Sequence, residues 1–316
     1  MASRSDLSGK RVLVTGASGF TGRYMTTELK EQGCTVIGTV SNAPPASEKC
    51  LPDEVLAVDL RDSASVIDVV EAARADYVVH LAAVAFVGHG NADDFYQVNL
   101  LGTRNLLHAL ASSRCPPQQV LLASSANVYG NATEGVIDES VPAAPANDYA
   151  VSKLAMEYAA RLWQDRVPMV IARPFNYTGV GQEPNYLIPK IVSHFIRRAP
   201  TIELGNTEVW RDFGDVRSVV SAYRQLLQSP DAVGETVNVC SGVAHSLGEI
   251  IDICSRITGH RIQVDVNPAF VRQNEVKTLL GSNAKLNGLI GTWQPPVLDE
   301  TLRWMLDCGS VGLCGN

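Results

Sequence analysis

A short apolar segment that runs straight into three glycines constrains this chain more than any other feature. Residues 12–22 read Val-Leu-Val-Thr-Gly-Ala-Ser-Gly-Phe-Thr-Gly, and an amphipathic stretch from Tyr24 to Gln32 follows. The order predicts a buried strand, a tight loop and a helix: Gly16 turns the backbone, Gly19 lets it approach a phosphate, and Gly22 lets the helix lie close to the strand. The first turn of such a helix offers free N–H groups to a pyrophosphate. A βα turn that merely needs glycine would show the same triplet, but its position directly after a strand near the N-terminus favours dinucleotide binding.

Strand and helix patterns alternate through the first half of the chain. Four further strand patterns cover residues 35–40, 54–58, 77–81 and 120–123, and helical patterns such as 63–74 and 94–113 separate them. This alternation predicts an α/β fold, a doubly wound parallel sheet of the Rossmann type, whose ligands bind at the carboxyl ends of the strands. The less regular second half predicts a smaller, mostly C-terminal α/β substrate domain. His80, inside the fourth strand, is interpreted as a core histidine and not as a ligand.

Charge and composition exclude several classes of function. The 316 residues carry a formal net charge of -7, which disfavours nucleic acid and anionic membranes as partners. The seven cysteines are scattered without a CxxC pair and the six histidines are dispersed, so we expect reduced thiols and no metal site. No apolar run is long enough to cross a bilayer, and the first ten residues lack an apolar signal segment. We therefore expect a cytoplasmic protein.

The end of the second strand bears on the choice of dinucleotide. A site specific for NAD usually has an acidic residue here, which would repel a 2′-phosphate, whereas this chain has Ser41 among uncharged residues and Arg23 just after the last glycine. The pattern favours NADP(H) over NAD(H), although Arg23 as a solvated helix residue fits the sequence equally well. The remaining predicted cofactor contacts follow the glycine loop and the ends of the third and fourth strands: Ser18, Phe20, Thr21, Asp59, Leu60, Leu81, Ala82 and Ala83.

Three side chains suited to redox chemistry come after the fifth strand. Ser125 follows its end, and Tyr149 and Lys153 lie one turn apart at the start of a predicted helix. A lysine ammonium favours the phenolate form of a nearby tyrosine, and an oxidised nicotinamide ring adds positive charge. We therefore expect the two together to lower the pKa of Tyr149 toward neutrality. A serine hydroxyl can hydrogen-bond the same substrate oxygen and orient it. The spacing also fits an ordinary amphipathic helix, but downstream of a nucleotide loop it indicates proton transfer to or from a substrate.

Six segments of the chain resemble the extended short-chain dehydrogenase/reductases that act on nucleotide sugars. They are TGASGFTG (15–22), HLAA (80–83), VNLLGT (98–103), SSANVYG (124–130), YAVSK (149–153) and RPFN (173–176). The resemblance implies that Ser125, Tyr149 and Lys153 are catalytic, that Asn99 supports the active-site helix and lies at the cofactor site, and that Pro174 contacts the cofactor. It also implies a homodimer formed through the helices 94–113 and 149–164. The dinucleotide-binding domain would then comprise residues 1–173 plus about 211–238, and the nucleotide-sugar-binding domain about 174–210 and 239–316.

One departure from the family separates its reactions. The sugar 4,6-dehydratases that the chain otherwise resembles carry an acidic residue where this sequence has Asn127, and often a second where it has Ala126. Elimination of water needs a carboxyl group to move protons, and an amide cannot do that. Ketone reduction and 4-epimerisation through a transient ketone therefore remain.

Further segments resemble the members of the family that reduce a GDP-linked 4-keto-6-deoxymannose. These segments are residues 173–182, 210–223, 238–253 and 271–286. The resemblance implies NAD(P)H-dependent reduction of the 4-keto group of GDP-4-keto-6-deoxy-D-mannose to GDP-D-rhamnose. A nucleotide-sugar 4-epimerase with tightly bound NAD+ and a non-catalytic dinucleotide-sensing protein are the alternatives. The implied substrate-binding residues are Ser125, Asn127, Asn176, Lys190, Arg211, Arg272 and Glu275. Arg211 and Arg272 also fit simple surface ion pairs.

Overall fold

The main sheet of the computed structural model consists of seven parallel strands. The structure describes residues 6–41, 52–85, 91–131, 135–270 and 277–310. Side by side, the strands are β11 (Thr236–Val239), β7 (Met169–Pro174), β5 (Gln119–Ala123), β4 (Tyr77–His80), β1 (Arg11–Thr15), β2 (Thr35–Val40) and β3 (Glu54–Ala57). The chain winds one way from β1 to β3 and the other way from β4 onward, so the strand order reverses between β1 and β4. Ligands of doubly wound sheets bind at the carboxyl end of such a switch point. The predicted parallel, doubly wound sheet is confirmed.

Helices cover both faces of this sheet. One face packs against α1 (Phe20–Glu31), α7 (Val216–Leu227) and α9 (Ala284–Ile290), and the other against α2 (Ser63–Ala73), α4 (Thr103–Ser112) and α5 (Asp148–Arg161). Met25 and Leu29 of α1 are fully buried on the first face, as Leu106 and Leu107 of α4 are on the second. Each such side chain contributes about 1.5–3 kcal/mol through burial. The two apolar layers hold the strand ends, and the loops that follow them, in fixed positions.

The helix predicted for residues 94–113 differs from a regular α-helix in its first half. A single turn, α3 (Ala92–Asp94), leads into a π-helix (Phe95–Gly102), and α4 continues from there. Asn99, 1% exposed, lies within the π-helical turns, and the hydroxyl of Thr103 donates to its carbonyl oxygen at 2.7 Å. Such wide turns often occur at functional sites because they reorient a side chain without ending the helix.

A smaller α/β region lies beside the carboxyl edge of the main sheet. Its second sheet contains β12 (Ala244–Ser246), β10 (Trp210–Asp215), β14 (Thr278–Gly281) and β6 (Gly135–Ile137), with β8 (Asn176–Thr178) paired to β10. β9 (Thr201–Leu204) and β13 (Gln263–Val266) form a separate pair. Its core lies among the helices α6 (Leu187–Ile196), α8 (Leu247–Thr258) and α10 (Leu298–Ser310). In the parts of the chain that the structure describes, no helix has both the length and the apolar composition to cross a membrane.

The predicted division into two domains stays a prediction. β6 belongs to the second sheet although it lies within residues 1–173, and α9 packs on the main sheet although it lies within residues 239–316. The chain therefore passes between the two regions more often than the predicted domain boundaries imply.

Candidate functional site

The glycine loop between β1 and α1 has the geometry of a phosphate cradle. Gly16 has a φ of 70°, and a Cβ there would lie 2.9 Å from the Cα of Ala82 on the loop after β4. A Cβ at Gly22 would overlap the carbonyl oxygen of Gly16 and lie 2.7 Å from the Cα of Ala17. α1 begins at Phe20 after Gly19, with no side chain capping its first turn. The loop thus fits a dinucleotide: the backbone is packed as tightly as glycine allows, and the positive end of α1 is open to a pyrophosphate.

A buried chain of hydrogen bonds joins this loop to the next strand ends. The Oγ1 atom of Thr15 accepts from the N–H groups of Leu81 and Ala82, both at 3.1 Å, so its own hydrogen is left for Nδ1 of His80, at 2.7 Å. The Nε2–H of His80 then donates to Thr103 at 2.8 Å, because the hydroxyl of Thr103 itself donates to Asn99. Burial lowers the pKa of His80 to about 3, so its imidazole is neutral. His80 is a buried core histidine, as predicted, and its tautomer is set by its neighbours.

Asn99 connects the loop after β4 to the helix α5. Its side-chain amide donates to the carbonyl oxygen of Val84 and to Oγ of Ser152, both at 3.0 Å, and its Oδ1 accepts from the N–H of Val84 at 2.9 Å. Ser152 in turn donates to the carbonyl oxygen of Tyr149 at 2.8 Å. The arrangement fits the predicted support of the active-site helix. Both the oxygen and the nitrogen of the Asn99 side-chain amide are hydrogen-bonded to protein groups.

Ser125 and Tyr149 are brought together at the carboxyl end of β5. Ser125 begins the turn of 3₁₀-helix at Ala126–Tyr129, and its Oγ accepts from the N–H of Asn127 at 3.1 Å. Asn147 caps α5 through the N–H of Ala150, which places Tyr149 in the first turn of the helix. The Ser125 side chain is near enough to the hydroxyl of Tyr149 to favour its ionised form and so to lower the pKa of Tyr149. Both residues are 8% exposed, so water has little access to this pair.

Lys153 lies one turn further along α5 and is 5% exposed. Its ammonium donates to the carbonyl oxygen of Ala123, the last residue of β5, at 2.8 Å. Burial lowers the pKa of Lys153 to about 8, while the charge of Glu157 opposes that shift. The ammonium is thus held at the strand end by a neutral group.

Lys153 alone does not produce the expected lowering of the Tyr149 pKa. Burial raises the pKa of Tyr149 above its ordinary value, the side chain of Ser125 opposes this, and the hydroxyls of Tyr177 and Tyr186 add to it. The reason is that Lys153 is bonded to a backbone carbonyl and not to the phenol, so desolvation dominates. Tyr149 therefore keeps its proton at neutral pH.

Three side chains of α1 bond to β8 or to the loop that follows it. Thr21 hydrogen-bonds the hydroxyl of Tyr177 at 2.8 Å, and Tyr24 donates to the carbonyl oxygen of Val180 at 2.7 Å. Arg23 donates to the carbonyl oxygens of Ser18 and Gly181 at 3.1 and 3.2 Å. The guanidinium of Arg23 therefore spans the two loops. Sequence reasoning missed Tyr177, whose only signal was its place after the RPFN segment.

The other predicted cofactor residues lie next to the glycine loop or after the carboxyl ends of strands of the main sheet. Phe20 stacks on the ring of Tyr177 with ring centroids 6.2 Å apart. Ser41 is exposed just after β2, and Asp59 after β3 is paired with Arg61 at 2.7 Å. The rest lie at carboxyl ends of neighbouring strands: Leu60 after β3, Leu81, Ala82 and Ala83 after β4, and Pro174 at the end of β7.

The predicted substrate residues are only partly brought together. Asn127 is exposed beside Ser125, and Asn176 is exposed on β8, whose partner β10 carries Arg211. Arg211 donates to the carbonyl oxygen of Trp210 at 2.8 Å. Lys190 is held within the smaller region, because its ammonium donates to the carbonyl oxygen of Glu203 at 2.7 Å and lies 4.8 Å from the ring centroid of Phe270. Arg272 and Glu275 lie outside the described residues.

No cluster of three or more histidine, cysteine, aspartate or glutamate side chains suited to a metal ion occurs within the described ranges.

Comparison with known proteins gives one family match and several close relatives. The NAD dependent epimerase/dehydratase family matches residues 12–240. GDP-6-deoxy-D-talose 4-dehydrogenase of Aggregatibacter actinomycetemcomitans is 33% identical over 89% of this chain and 91% of that protein. GDP-6-deoxy-D-mannose reductase of Pseudomonas aeruginosa is 34% identical over 94% of this chain and 96% of that protein. A crystal structure described as a "putative epimerase" from Burkholderia cenocepacia J2315 is 52% identical, with a TM-score of 0.92 over 96% of this chain and 99% of that one.

Proposed function

The chain belongs to the NAD dependent epimerase/dehydratase family, and we propose that it reduces the 4-keto group of GDP-4-keto-6-deoxy-D-mannose to give GDP-D-rhamnose. Membership bears out the predicted family, the prediction of an enzyme and its use of NAD(H) or NADP(H). The substrate class is supported by two relatives named for GDP-linked 6-deoxy sugars. The proposed reaction is supported chiefly by the position of Tyr149, which lies buried near Ser125 at the carboxyl edge of the sheet. Lys153 follows Tyr149 by one helical turn.

The dinucleotide fits the glycine loop, since Gly16 and Gly22 leave no room for a Cβ and α1 is uncapped. When bound in its reduced form, it supplies the hydride for the carbonyl carbon. The backbone N–H groups of α1 would hold its phosphates, and Lys153 would bond its nicotinamide ribose.

Tyr149 supplies the proton in this mechanism. Its raised pKa keeps the phenol protonated, so it can donate to the sugar oxygen as that oxygen becomes an alkoxide. Ser125 donates a hydrogen bond to the same oxygen and orients the carbonyl. The Lys153 ammonium stabilises the phenolate that remains after the proton has left, which is why its charged state matters.

Replacing Tyr149 by Phe tests the reaction. We expect NADPH oxidation with the GDP-linked keto sugar to fall by about 10²–10⁴-fold, because general acid catalysis contributes that range. The affinity for NADPH, measured by the fluorescence of the nicotinamide, should stay within a few-fold of the original protein. An unchanged rate of oxidation would remove the mechanism.

A nucleotide-sugar 4-epimerase is the second candidate, favoured by the description of the Burkholderia cenocepacia structure. Such an enzyme would keep a tightly bound NAD+ and interconvert sugars without consuming NADPH. Purified protein that absorbs as bound dinucleotide and epimerises without added cofactor would favour it. NMR of the product of the same reaction gives the configuration at C4. The two relatives are named for 6-deoxy-D-talose and 6-deoxy-D-mannose, and these two sugars differ in configuration at C4.

A dinucleotide-sensing protein without turnover is the alternative from another class. The complete set of Ser125, Tyr149 and Lys153 argues against it, because a sensor has no use for a proton donor. Binding of NADP(H) without turnover across GDP-, UDP-, dTDP- and CDP-linked keto sugars would favour it.

We infer that NADP(H) is preferred over NAD(H). The support is the uncharged Ser41 at the end of β2, although two donors of Arg23 are engaged by the carbonyl oxygens of Ser18 and Gly181. Comparison of the two dissociation constants by nicotinamide fluorescence tests this. A tighter complex with NADH would overturn it.

A homodimer is proposed through α4 and α5. The support is an apolar stripe along α5 and the residue that follows it, where Val151, Tyr158 and Leu162 are 38%, 61% and 81% exposed at helical spacing. Sedimentation should give the mass of two chains at micromolar concentration, and Leu162→Glu should reduce it to that of one. A single-chain mass for the original protein would exclude the dimer. The expected cytoplasmic location stays a prediction.

A further inference from the structure

A buried ion pair lies directly behind the proposed catalytic side chains. Glu157 follows Lys153 by one turn of α5, so Tyr149, Lys153 and Glu157 share one face of the helix. The carboxylate of Glu157 is 1% exposed and accepts from Nε and Nη2 of Arg173 at 2.9 and 2.6 Å. Arg173 is itself 5% exposed and precedes Pro174 on β7. An ion pair this deep is weak grounds for a stabilising role, because desolvation offsets the attraction between the charges.

The pair holds the segment that carries Ser125 on both sides. Before Ser125, the hydroxyl of Ser124 donates to Oε1 of Glu157 at 2.5 Å. After it, Tyr129 accepts from Nη1 of Arg173 at 2.9 Å, and the guanidinium carbon lies 4.9 Å from the ring centroid of Tyr129. Residues 124–129 are thus anchored at both ends to one pair of side chains. A shift of either anchor would move the Ser125 hydroxyl relative to Tyr149.

The pair also places a negative charge one turn from a buried ammonium. Lys153 donates to a neutral carbonyl, so that bond does not compensate its charge. In the part of the chain that the structure describes, two titratable side chains, Tyr149 and Glu157, lie one turn from Lys153 on its own helix. Arg173 on β7 is bonded to Glu157, His80 on β4 is neutral, and the phenol of Tyr149 is protonated. Glu157 is the member of this set that favours the protonated form of Lys153.

We propose that Glu157 and Arg173 are positioning residues for the reaction: their ion pair fixes the segment bearing Ser125 and supplies the negative charge that the Lys153 ammonium needs. The proposal rests on the proposed function for its kinetic readout. Both residues are almost fully buried, and they act through their bonds to Ser124 and Tyr129 and through the charge one turn from Lys153.

The pH profile of two variants tests the charge. In Glu157→Gln the buried Arg173 is left unpaired, and in the double variant Glu157→Gln with Arg173→Met both charges are gone, which avoids that penalty and protects folding. We expect the alkaline limb of kcat to move to lower pH by about one unit in both variants, because each lacks the carboxylate. Loss of the Lys153 proton should lower kcat only about twofold at pH 7, and about tenfold at pH values well above the limb.

Two further variants separate position from charge. Ser124→Ala removes an anchor but no charge, so kcat should fall while the alkaline limb stays in place. Glu28→Gln breaks the Glu28–Arg224 ion pair between α1 and α7, which also closes at 2.6 Å but lies on the opposite face of the sheet, and it should leave kcat and the limb unchanged. An unmoved limb in the double variant overturns the charge role. An unchanged kcat in Ser124→Ala overturns the positional role.

Failure of the proposed function gives a different result. If the original protein reduces no nucleotide sugar, the same variants are compared by the pH dependence of NADPH binding, followed by nicotinamide fluorescence. Because Lys153 is expected to bond the nicotinamide ribose, loss of its proton should weaken binding at alkaline pH. The midpoint of that weakening should move down by about one unit in the double variant. Equal midpoints in the two proteins would overturn the proposal independently of any turnover.

Discussion

Acidification should destabilise this protein through His80, and the effect can be sized from the structure. His80 is 3% exposed between Thr15 and Thr103. Protonation would put a second N–H on Nδ1, facing an oxygen whose lone pairs already accept from the N–H groups of Leu81 and Ala82. The charged ring would thus lose a hydrogen bond and stay buried without a counter-charge.

The magnitude follows from the two pKa values. Burial lowers the pKa of His80 from 6.5 to about 3. As pH falls, the unfolded chain takes up this proton first, so the stability contributed by neutral His80 is complete above pH 6.5 and is lost between pH 6.5 and 3. Between pH 7 and pH 4 the loss integrates to about 3 kcal/mol. A domain has a total stability of about 5–15 kcal/mol, so one residue accounts for a large share.

Urea unfolding at pH 7 and pH 4 measures this loss, with fluorescence and circular dichroism required to give coincident transitions. His80→Gln cannot take up the proton. It should be about 1–3 kcal/mol less stable than the original protein at pH 7, because buried hydrogen bonds are lost, yet lose about 3 kcal/mol less on acidification. His108→Gln, at an exposed position of α4, should follow the original protein at both pH values. Equal losses for the original protein and His80→Gln would refute the reasoning.

Three more substitutions follow from the same contacts. Gly22→Ala should weaken NADPH binding by more than tenfold in a fluorescence titration, because the new Cβ overlaps the carbonyl oxygen of Gly16. Gly288→Ala, in a helix position with open space around the Cβ, should leave that affinity unchanged and raise the free energy of unfolding by about 0.5–1 kcal/mol. Asn99→Leu frees Ser152 and the loop after β4, so kcat should fall at least tenfold by the NADPH oxidation assay; a fall confined to KM would contradict a role in holding α5.

The order of the main sheet and the glycine loop were predictable because each follows from local chemistry. The alternation of strand and helix patterns leaves few topologies, and right-handed crossovers reduce them further. The roles of Gly16 and Gly22 could be predicted because the tight turn and the close packing of α1 leave no room for a Cβ at either position. Tyr149 and Lys153 were placed by helix periodicity, which needs no knowledge of distant contacts.

The partners of those residues were not predictable in the same way. Lys153 bonds the carbonyl oxygen of Ala123, which lies 30 positions away and whose orientation depends on how β5 ends. Lys190 was expected at the substrate from the family resemblance, yet its ammonium donates to the carbonyl oxygen of Glu203 within the smaller region. The hydrogen bonds of Asn99 in the π-helix reach the loop after β4 and the helix α5. Hydrophobic periodicity along one segment gives no information about such contacts. One signal was available and missed: Glu157 follows Lys153 at the same spacing of four.

The choice between reduction and epimerisation depends on charge, because both reactions use the same three side chains. Burial raises the pKa of Tyr149, and a cation close to its hydroxyl would lower that pKa. A reduced nicotinamide ring is neutral and leaves the phenol protonated, ready to donate to an incoming ketone. An oxidised ring is positive and favours the phenolate, which is what removal of a proton from a sugar hydroxyl requires. The protein by itself therefore favours the donor form of Tyr149, which is the form that the proposed reduction requires.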